Sequence, residues 1–224
     1  SMDLRPDDDL IDVHTHVVPS GDDGARSIEE GLELCSLAAA RGTAIVFSTP
    51  HRHAPWDSYP WSPERARRYE AALAEMREPA RVAGVDLRRG AEVFPSEALE
   101  PDPAELTLEG TTAVLIEFPG SWLDLEGQLE LVARAAERVG AAGLVPVLAH
   151  PERCGEVQRD PSSLGAFAER GWLICANGPS FTGDHGARSE ETAWRLIADG
   201  LVHLVASDGH RASRRDRRSP LTSP

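Results

Sequence analysis

The sequence predicts an α/β protein built on a parallel sheet. Seven short apolar, β-branched runs alternate with longer segments of helical period, the pattern of successive strand–helix–strand units. The runs are nearly continuously apolar, as expected of strands buried on both faces. The helical segments open on capping residues and close on glycines. An open doubly wound sheet and a closed barrel fit this pattern equally.

Taken in order, strands are expected over 10–17, 44–49, 85–93, 113–118, 145–149, 173–176 and 202–206. Helices are expected over 27–41, 62–82, 125–139, 162–170 and 189–199. Ser27 and Glu30 have capping-box spacing, and Ser62-Pro63 puts proline at a first helical position. Gly42, Gly140, Gly171 and Gly200 stand where four of the helices stop. Apart from an Arg-rich end, 211–218, no linker, repeat or low-complexity tract is visible. Residues 1–224 therefore read as one domain with short tails over 1–9 and 211–224.

The balance of charge removes several function classes. With 23 basic and 37 acidic residues the net charge is -14, so nucleic acid and anionic lipid are poor partners. All 23 basic residues are arginine, which excludes a Schiff-base lysine, a P-loop lysine and a carbamylated-lysine metal bridge. Cys35, Cys154 and Cys175 are far apart with no Cys-x-x-Cys pair, so neither a disulfide framework nor a thiolate zinc site is expected. A reducing, cytoplasmic setting follows, and no apolar run approaches a membrane span.

Metal-binding residue types recur at the C-terminal ends of the expected strands: His14 and His16, His51, Glu92, Glu117, His150, then Asp208 and His210. In a parallel barrel those ends share one face. Residues two apart on an extended backbone point the same way, so His14/His16 and Asp208/His210 can each grip one ion. Each residue alone reads more simply as solvated or hydrogen-bonded. Glu92 and Glu117, however, lie inside apolar strands, where an unpaired carboxylate costs several kcal/mol. Matching residues at six strand ends point to metal. Imidazole and carboxylate without thiolate suit manganese, iron or zinc in a catalytic site, and the number of donors implies two or three ions.

The motifs His14-Thr15-His16, Asp22-Asp23-Gly24, Ser48-Thr49-Pro50-His51, Gly90-Ala91-Glu92, Leu115-Ile116-Glu117-Phe118, His150-Pro151-Glu152-Arg153 and Ser207-Asp208-Gly209-His210 occur in one order. In that order they resemble the polymerase-and-histidinol-phosphatase (PHP) superfamily. Within it they are similar to the manganese-dependent tyrosine phosphatases encoded with bacterial capsule and exopolysaccharide genes. The resemblance spans about Leu10 to His210. It implies a distorted seven-stranded β/α barrel of TIM-like, PHP type and three divalent ions, with manganese expected and iron or zinc compatible. It assigns His14, His16, Glu92 and Asp208 to the first ion, Glu92, Glu117 and His150 to the second, and Asp23, His51 and His210 to the third. It further implies attack by a metal-bridging hydroxide without a phosphoenzyme, and phosphotyrosine of an autokinase as substrate.

Arg153 offers a planar fork for phosphate, against a loop salt bridge with Glu152 or Glu156. A second phosphate arginine falls, by spacing, on Arg215 among Arg214, Arg215, Arg217 and Arg218. Asn177 is a candidate donor to phosphate or bound water. Trp56, Tyr59 and Trp61 read as loop packing ahead of a substrate clasp. His53 and His185 carry no ligand argument, and His203 reads as structural. A small-molecule phosphatase, such as one acting on histidinol phosphate, uses the same metals. A non-catalytic PHP module would have lost ligands, whereas every position is filled here. A cysteine phosphatase needs Cys-x5-Arg, and Arg159 follows Cys154 one residue too soon.

Overall fold

In the computed structural model, which describes residues 9–52, 60–96, 102–120 and 127–211, the apolar runs become parallel strands. These are β1 (Leu10–Thr15), β2 (Thr43–Ser48), β3 (His51–Arg52), β4 (Asp86–Arg89), β5 (Glu92–Val93), β6 (Ala113–Glu117), β7 (Val145–Ala149), β8 (Leu173–Asn177) and β9 (Leu204–Ala206). Six α-helices join them among the described residues: α1 (Ile28–Ala39), α2 (Pro63–Val82), α3 (Gln128–Ala141), α4 (Gly155–Arg159), α5 (Gly165–Glu169) and α6 (Ala187–Ala198).

The caps work largely as the sequence predicts. Ser27 Oγ accepts from Glu30 N at 3.2 Å, and Ser62 Oγ accepts from Arg65 N at 3.2 Å. Glu30 does not complete the box, because its carboxylate takes Arg26 N at 2.9 Å. Gly140 is not a stop; α3 runs through it, and the chain turns at Gly143 with φ 76°. The expected helix 162–170 is a 3-10 turn followed by α5, and α4 was not foreseen.

Among the described residues, nine strands in two sheets stand in place of the expected seven-stranded barrel. The sheets have orders β1-β2-β4 and β3-β5-β6-β7-β8-β9, and the described strand pairing does not close into a barrel. The extra count has a local cause. The expected strand 85–93 breaks at Gly90-Ala91, and past the end of the expected strand 44–49, beyond Thr49-Pro50, a further strand β3 forms; the segments on either side of each point pair in different sheets. Pro50 has no N–H to give a ladder. Gly90 sits where a Cβ would come within 2.7 Å of Leu108 Cδ2 and 2.9 Å of Thr49 Cγ2, so a larger residue would make these side chains shift. At the other edge, β1 and the chain after β9 meet at a single bridge, Thr15 with Gly209.

Packing follows from the faces. Leu34 and Cys35 of α1 and Tyr69, Leu73 and Met76 of α2 bury against Val46 and Leu87 of the smaller sheet. Val132, Ala135 and Val139 of α3 and Leu196 of α6 cover Val114, Ile116, Leu148 and Ile174 of the larger sheet. Each full side chain withdrawn from water stabilises by about 1.5–3 kcal/mol. A third cluster, Phe47, Leu115, Val147, Cys175 and Ala206, draws on both sheets. It forms a floor beneath the C-terminal strand ends. No described helix is long and apolar enough to cross a membrane.

Candidate metal centre

Strand alternation delivers the first donors. His14 and His16 flank Thr15, so both imidazoles face one side and their Nε2 atoms lie 3.3 Å apart. Thr15 points away and locks this strand end, donating from Oγ1 to Phe47 O at 2.7 Å. The segment after β9 docks alongside, with Asp208 N donating to His14 O at 2.9 Å and His16 N to Gly209 O at 2.8 Å. His150 and Asp208 have φ of 42° and 50°, the two positive values among described non-glycine residues. Strain of that kind costs about 1–3 kcal/mol and persists where surroundings impose it, commonly at functional sites.

Glu92 is the hub. Its Oε2 lies 3.2 Å from His14 Nε2, 3.2 Å from His16 Nε2 and 3.1 Å from His51 Nδ1, and its Oε1 lies 2.8 Å from His150 Nε2. Asp208 Oδ1 sits 3.3 Å from His14 Nε2 and 3.4 Å from His16 Nε2, while Asp23 Oδ1 is 3.4 Å from both His51 Nε2 and His210 Nε2. Glu117 lies 3.9 Å from His51. The donors form overlapping groups: His16/Asp23/His51/His210, His14/His16/Asp208, His14/Glu92/His150 and His51/Glu92/Glu117, each within 4.8 Å. Their union is the set His14, His16, Asp23, His51, Glu92, Glu117, His150, Asp208 and His210 expected from the sequence. All of them but His14 and His16 line a bowl of about 180 Å³ that Arg153 also lines.

The charges are mutually dependent. Burial would raise Glu92, but His14 and His51 hold it well below the ordinary carboxylate range. Burial opposes protonation of His51, yet Glu92 and Asp23 push it up to about 10. His14 and His16 are likewise held high against burial by their carboxylate neighbours. Glu117, buried and facing the charge of Glu92, is pushed up to about 8. Imidazolium protons thus balance the carboxylates here.

The donor set fits divalent ions. Glu92 Oε2, Asp23 Oδ1 and Asp208 Oδ1 are buried and make no well-aligned hydrogen bond, so their charges rest on the facing imidazolium groups or on a bound cation. The N···O separations of 3.1–3.4 Å around them match polyhedron edges of about 3.0–3.4 Å expected for bonds of about 2.1 Å.

Other residues hold this shell. Asp12, a stray acid in an apolar strand by sequence, is buried and accepts from His14 N at 3.3 Å and Ser207 N at 3.1 Å. Asp22 accepts from His51 N at 3.2 Å. Arg65 of α2 reaches Ser20 O at 3.0 Å and His51 O at 3.3 Å. Among these only Asp22 lay in a recognised motif. Asn177 donates to Asp208 Oδ2 at 2.8 Å, which makes it a support for a ligand. Glu152 does not pair with Arg153; it is buried, pushed up to about 7 by burial, and accepts from Asn177 N and from Ser180 Oγ at 2.6 Å. Glu156 caps α3 instead, accepting from Gly127 N at 2.7 Å. Arg153 pairs with Asp208 Oδ2 at 3.2 Å.

Trp61 packs edge-on against Tyr69 and under Arg52 and Arg65, the loop-packing role. His203 Nδ1 accepts from Ile174 N at 3.1 Å and is structural. Arg215, with Arg214, Arg217 and Arg218, lies outside the described residues, as do His53, Trp56 and Tyr59.

Residues 10–221 match the profile of the family described as capsular polysaccharide synthesis, CpsB/CapC. The chain belongs to the CpsB/CapC family. Among its relatives, tyrosine-protein phosphatase YwqE of Bacillus subtilis is 31% identical over 217 residues, covering 92% of this chain and 80% of YwqE. Tyrosine-protein phosphatase CpsB of Streptococcus agalactiae serotype III is 28% identical, covering 90% of this chain and 83% of CpsB. In structure, this CpsB/CapC member superposes with TM-score 0.76 and 28% identity on a chain from crystal structures of YwqE and Streptococcus pneumoniae CpsB, described as unique metal-dependent tyrosine phosphatases. The match covers 92% of this chain and 81% of that one.

Proposed function

We propose that this chain is a metal-dependent protein-tyrosine phosphatase, removing phosphate from phosphotyrosine in a protein, with a polysaccharide-biosynthesis autokinase as the substrate. The observation that carries the reading is the convergence of nine imidazole and carboxylate donors on one bowl with Arg153 at its wall. The bent strands support an opened, distorted barrel of seven staves, each broken strand counting as one.

Three ions, manganese in the cell, are the reading for the metals. His14, His16, Glu92 and Asp208 would hold the first, with Glu92 shared by a second completed by Glu117 and His150. Asp23, His51 and His210 would hold the third, and the grouping of donors supports this division. When bound, such ions lower the pKa of water and neutralise charge on phosphoryl oxygens. The chain's own residues do the rest. Asp12, Asp22 and Asn177 orient the donors, as partners of metal ligands commonly do. Arg153, already drawn into the bowl by Asp208, presents two N–H groups to phosphoryl oxygens, and Arg215 is the proposed second arginine. No cysteine takes part. Burial raises all three thiols, Cys35 to about 12, and Cys154 Sγ donates to Gln128 Oε1 at 2.8 Å.

The test compares hydrolysis of a phosphotyrosyl peptide and of histidinol phosphate by manganese-loaded and chelated protein. Chelator-sensitive turnover preferring the peptide is expected. A preference for histidinol phosphate would favour the small-molecule reading, and activity indifferent to chelation would end the metal reading.

A further inference from the structure

Two adjoining hollows lie along α4 and α6. The first, of about 540 Å³, is lined by Gln158 and Arg159 of α4, by His185, and by Arg188 in the first turn of α6. The second, of about 490 Å³, shares Gln158, Arg159 and Arg188 and extends to Thr192 and Arg195. At the inner end, His185 also lines the cleft that contains Arg153, Asp208 and His210. The two hollows share three lining residues and form one trough, which meets the cleft beside the bowl at His185.

Its walls are fixed. Gln158 Nε2 donates to Glu152 O at 2.9 Å and to Ser189 Oγ at 3.3 Å, clamping α4 to the start of α6. His185 Nδ1 lies 3.0 Å from Ser180 Oγ, whose own proton goes to the buried Glu152. The chain carries a net -14, and several exposed arginines are matched: Arg26 with Glu30, Arg81 with Glu78, Arg88 with Asp86, Arg170 with Glu137. Arg195 is matched by Asp199, and Glu191 lies at the far end. Arg159 and Arg188 have no carboxylate partner among the described residues. Two unpaired guanidinium groups side by side in a rigid hollow favour an anionic guest, and their planar forks suit carboxylates.

We propose that this trough binds acidic residues flanking the phosphotyrosine of the substrate polypeptide, with Arg159 and Arg188 as the selecting groups. The proposal rests on the phosphotyrosine-protein reading above. Surface pairs contribute modestly, so two of them give a preference of about tenfold. That preference should shrink as ionic strength rises from about 0.05 to about 0.5 M.

The experiment compares wild type with the Arg159→Glu/Arg188→Glu double variant, both manganese-loaded. The probes are a phosphotyrosyl peptide with acidic flanks, one of equal length with neutral flanks, and a small aryl phosphate. Wild type should prefer the acidic peptide by about tenfold in kcat/KM. The double variant should lose that preference while keeping its turnover of the neutral peptide and the small ester. Arg159→Gln/Arg188→Gln supplies a milder version should the reversal not fold. Equal kcat/KM for the two peptides in wild type, or a preference that survives reversal, overturns the proposal. Fluorescence anisotropy of a non-hydrolysable acidic phosphotyrosyl analogue reads binding without turnover. A protein that hydrolyses no aryl phosphate thus refutes the phosphatase reading, while anisotropy still decides the trough. Competition by single-stranded DNA that depends on the same two arginines would assign the trough to nucleic acid and overturn the proposal.

Discussion

Replacing Glu92 with glutamine keeps the shape of the hub and removes its charge. Four imidazoles approach that carboxylate at 2.8–3.2 Å, so no other single change touches as much of the centre. The consequence can be sized through linkage. An ion present at about one hundred times its Kd stabilises the folded state by about 2.7 kcal/mol. For a domain of this length each kcal/mol moves Tm by about 2–4 °C, so each such ion raises Tm by about 5–11 °C. The assay is thermal unfolding of chelated protein with and without added manganese, paired with elemental analysis after desalting. Wild type should show the rise and retain metal. Glu92→Gln should lose most of the rise, its metal content and its turnover. A wild-type Tm that ignores manganese, or a Glu92→Gln protein that rises equally, would refute the argument that these donors form one ion-binding cluster.

Three further outcomes are expected. Arg153→Ala should raise KM for a phosphotyrosyl peptide by about tenfold to a hundredfold, the worth of a charge-assisted hydrogen bond of about 1.5–3 kcal/mol, with metal content unchanged; steady-state kinetics and elemental analysis check it. Gly24→Ala would bring a Cβ within 2.5 Å of His16 O and 2.6 Å of His16 Cβ, displacing the turn that carries Asp22 and Asp23. It should cost about 1–3 kcal/mol in urea unfolding and lower the bound metal per chain. His185 is held down to about 4, first by burial and then by Arg153. Its unfolded form takes up a proton below about 6.5 while the folded form stays neutral to about 4, so stability from this group falls as pH drops through that window. At about pH 5 the loss is about 2 kcal/mol. Urea unfolding of metal-free His185→Gln at about pH 7 and about pH 5 should lack that part of the pH dependence.

Much of this was legible in the chain because the chemistry sits where local rules are strong. His14 with His16, and Asp208 with His210, share a face through simple strand alternation. Glu117 was conspicuous as an acid ending an apolar run. The break at Gly90 and the extra strand past Pro50 were not legible, since local sequence does not reveal that successive segments pair in different sheets. Gly90 is small because Leu108 and Thr49 crowd it, and Leu108 is distant in sequence. Asp12 was invisible for a similar reason: one of its partners, Ser207 N, lies 195 residues away. Arg65 looked like any exposed helical arginine until α2 carried it over Ser20 and His51. The trough arose from α4, a five-residue helix too brief to leave a periodic signal.

The junction between the first and last strands carries one further consequence. Among the described residues its backbone is stitched by the Thr15–Gly209 bridge, two backbone hydrogen bonds and the Asp12 carboxylate. His14 and His16 stand on one side of it, Asp208 and His210 on the other. A cation gripped from both sides would act as a rivet, closing a loop that runs through nearly the whole described chain. Letting the ion go and letting the ends of the molecule part become a single event. Amide protons of residues 14–16 and 207–209 should therefore exchange slowly when the rivet is in and rapidly once a chelator has drawn it.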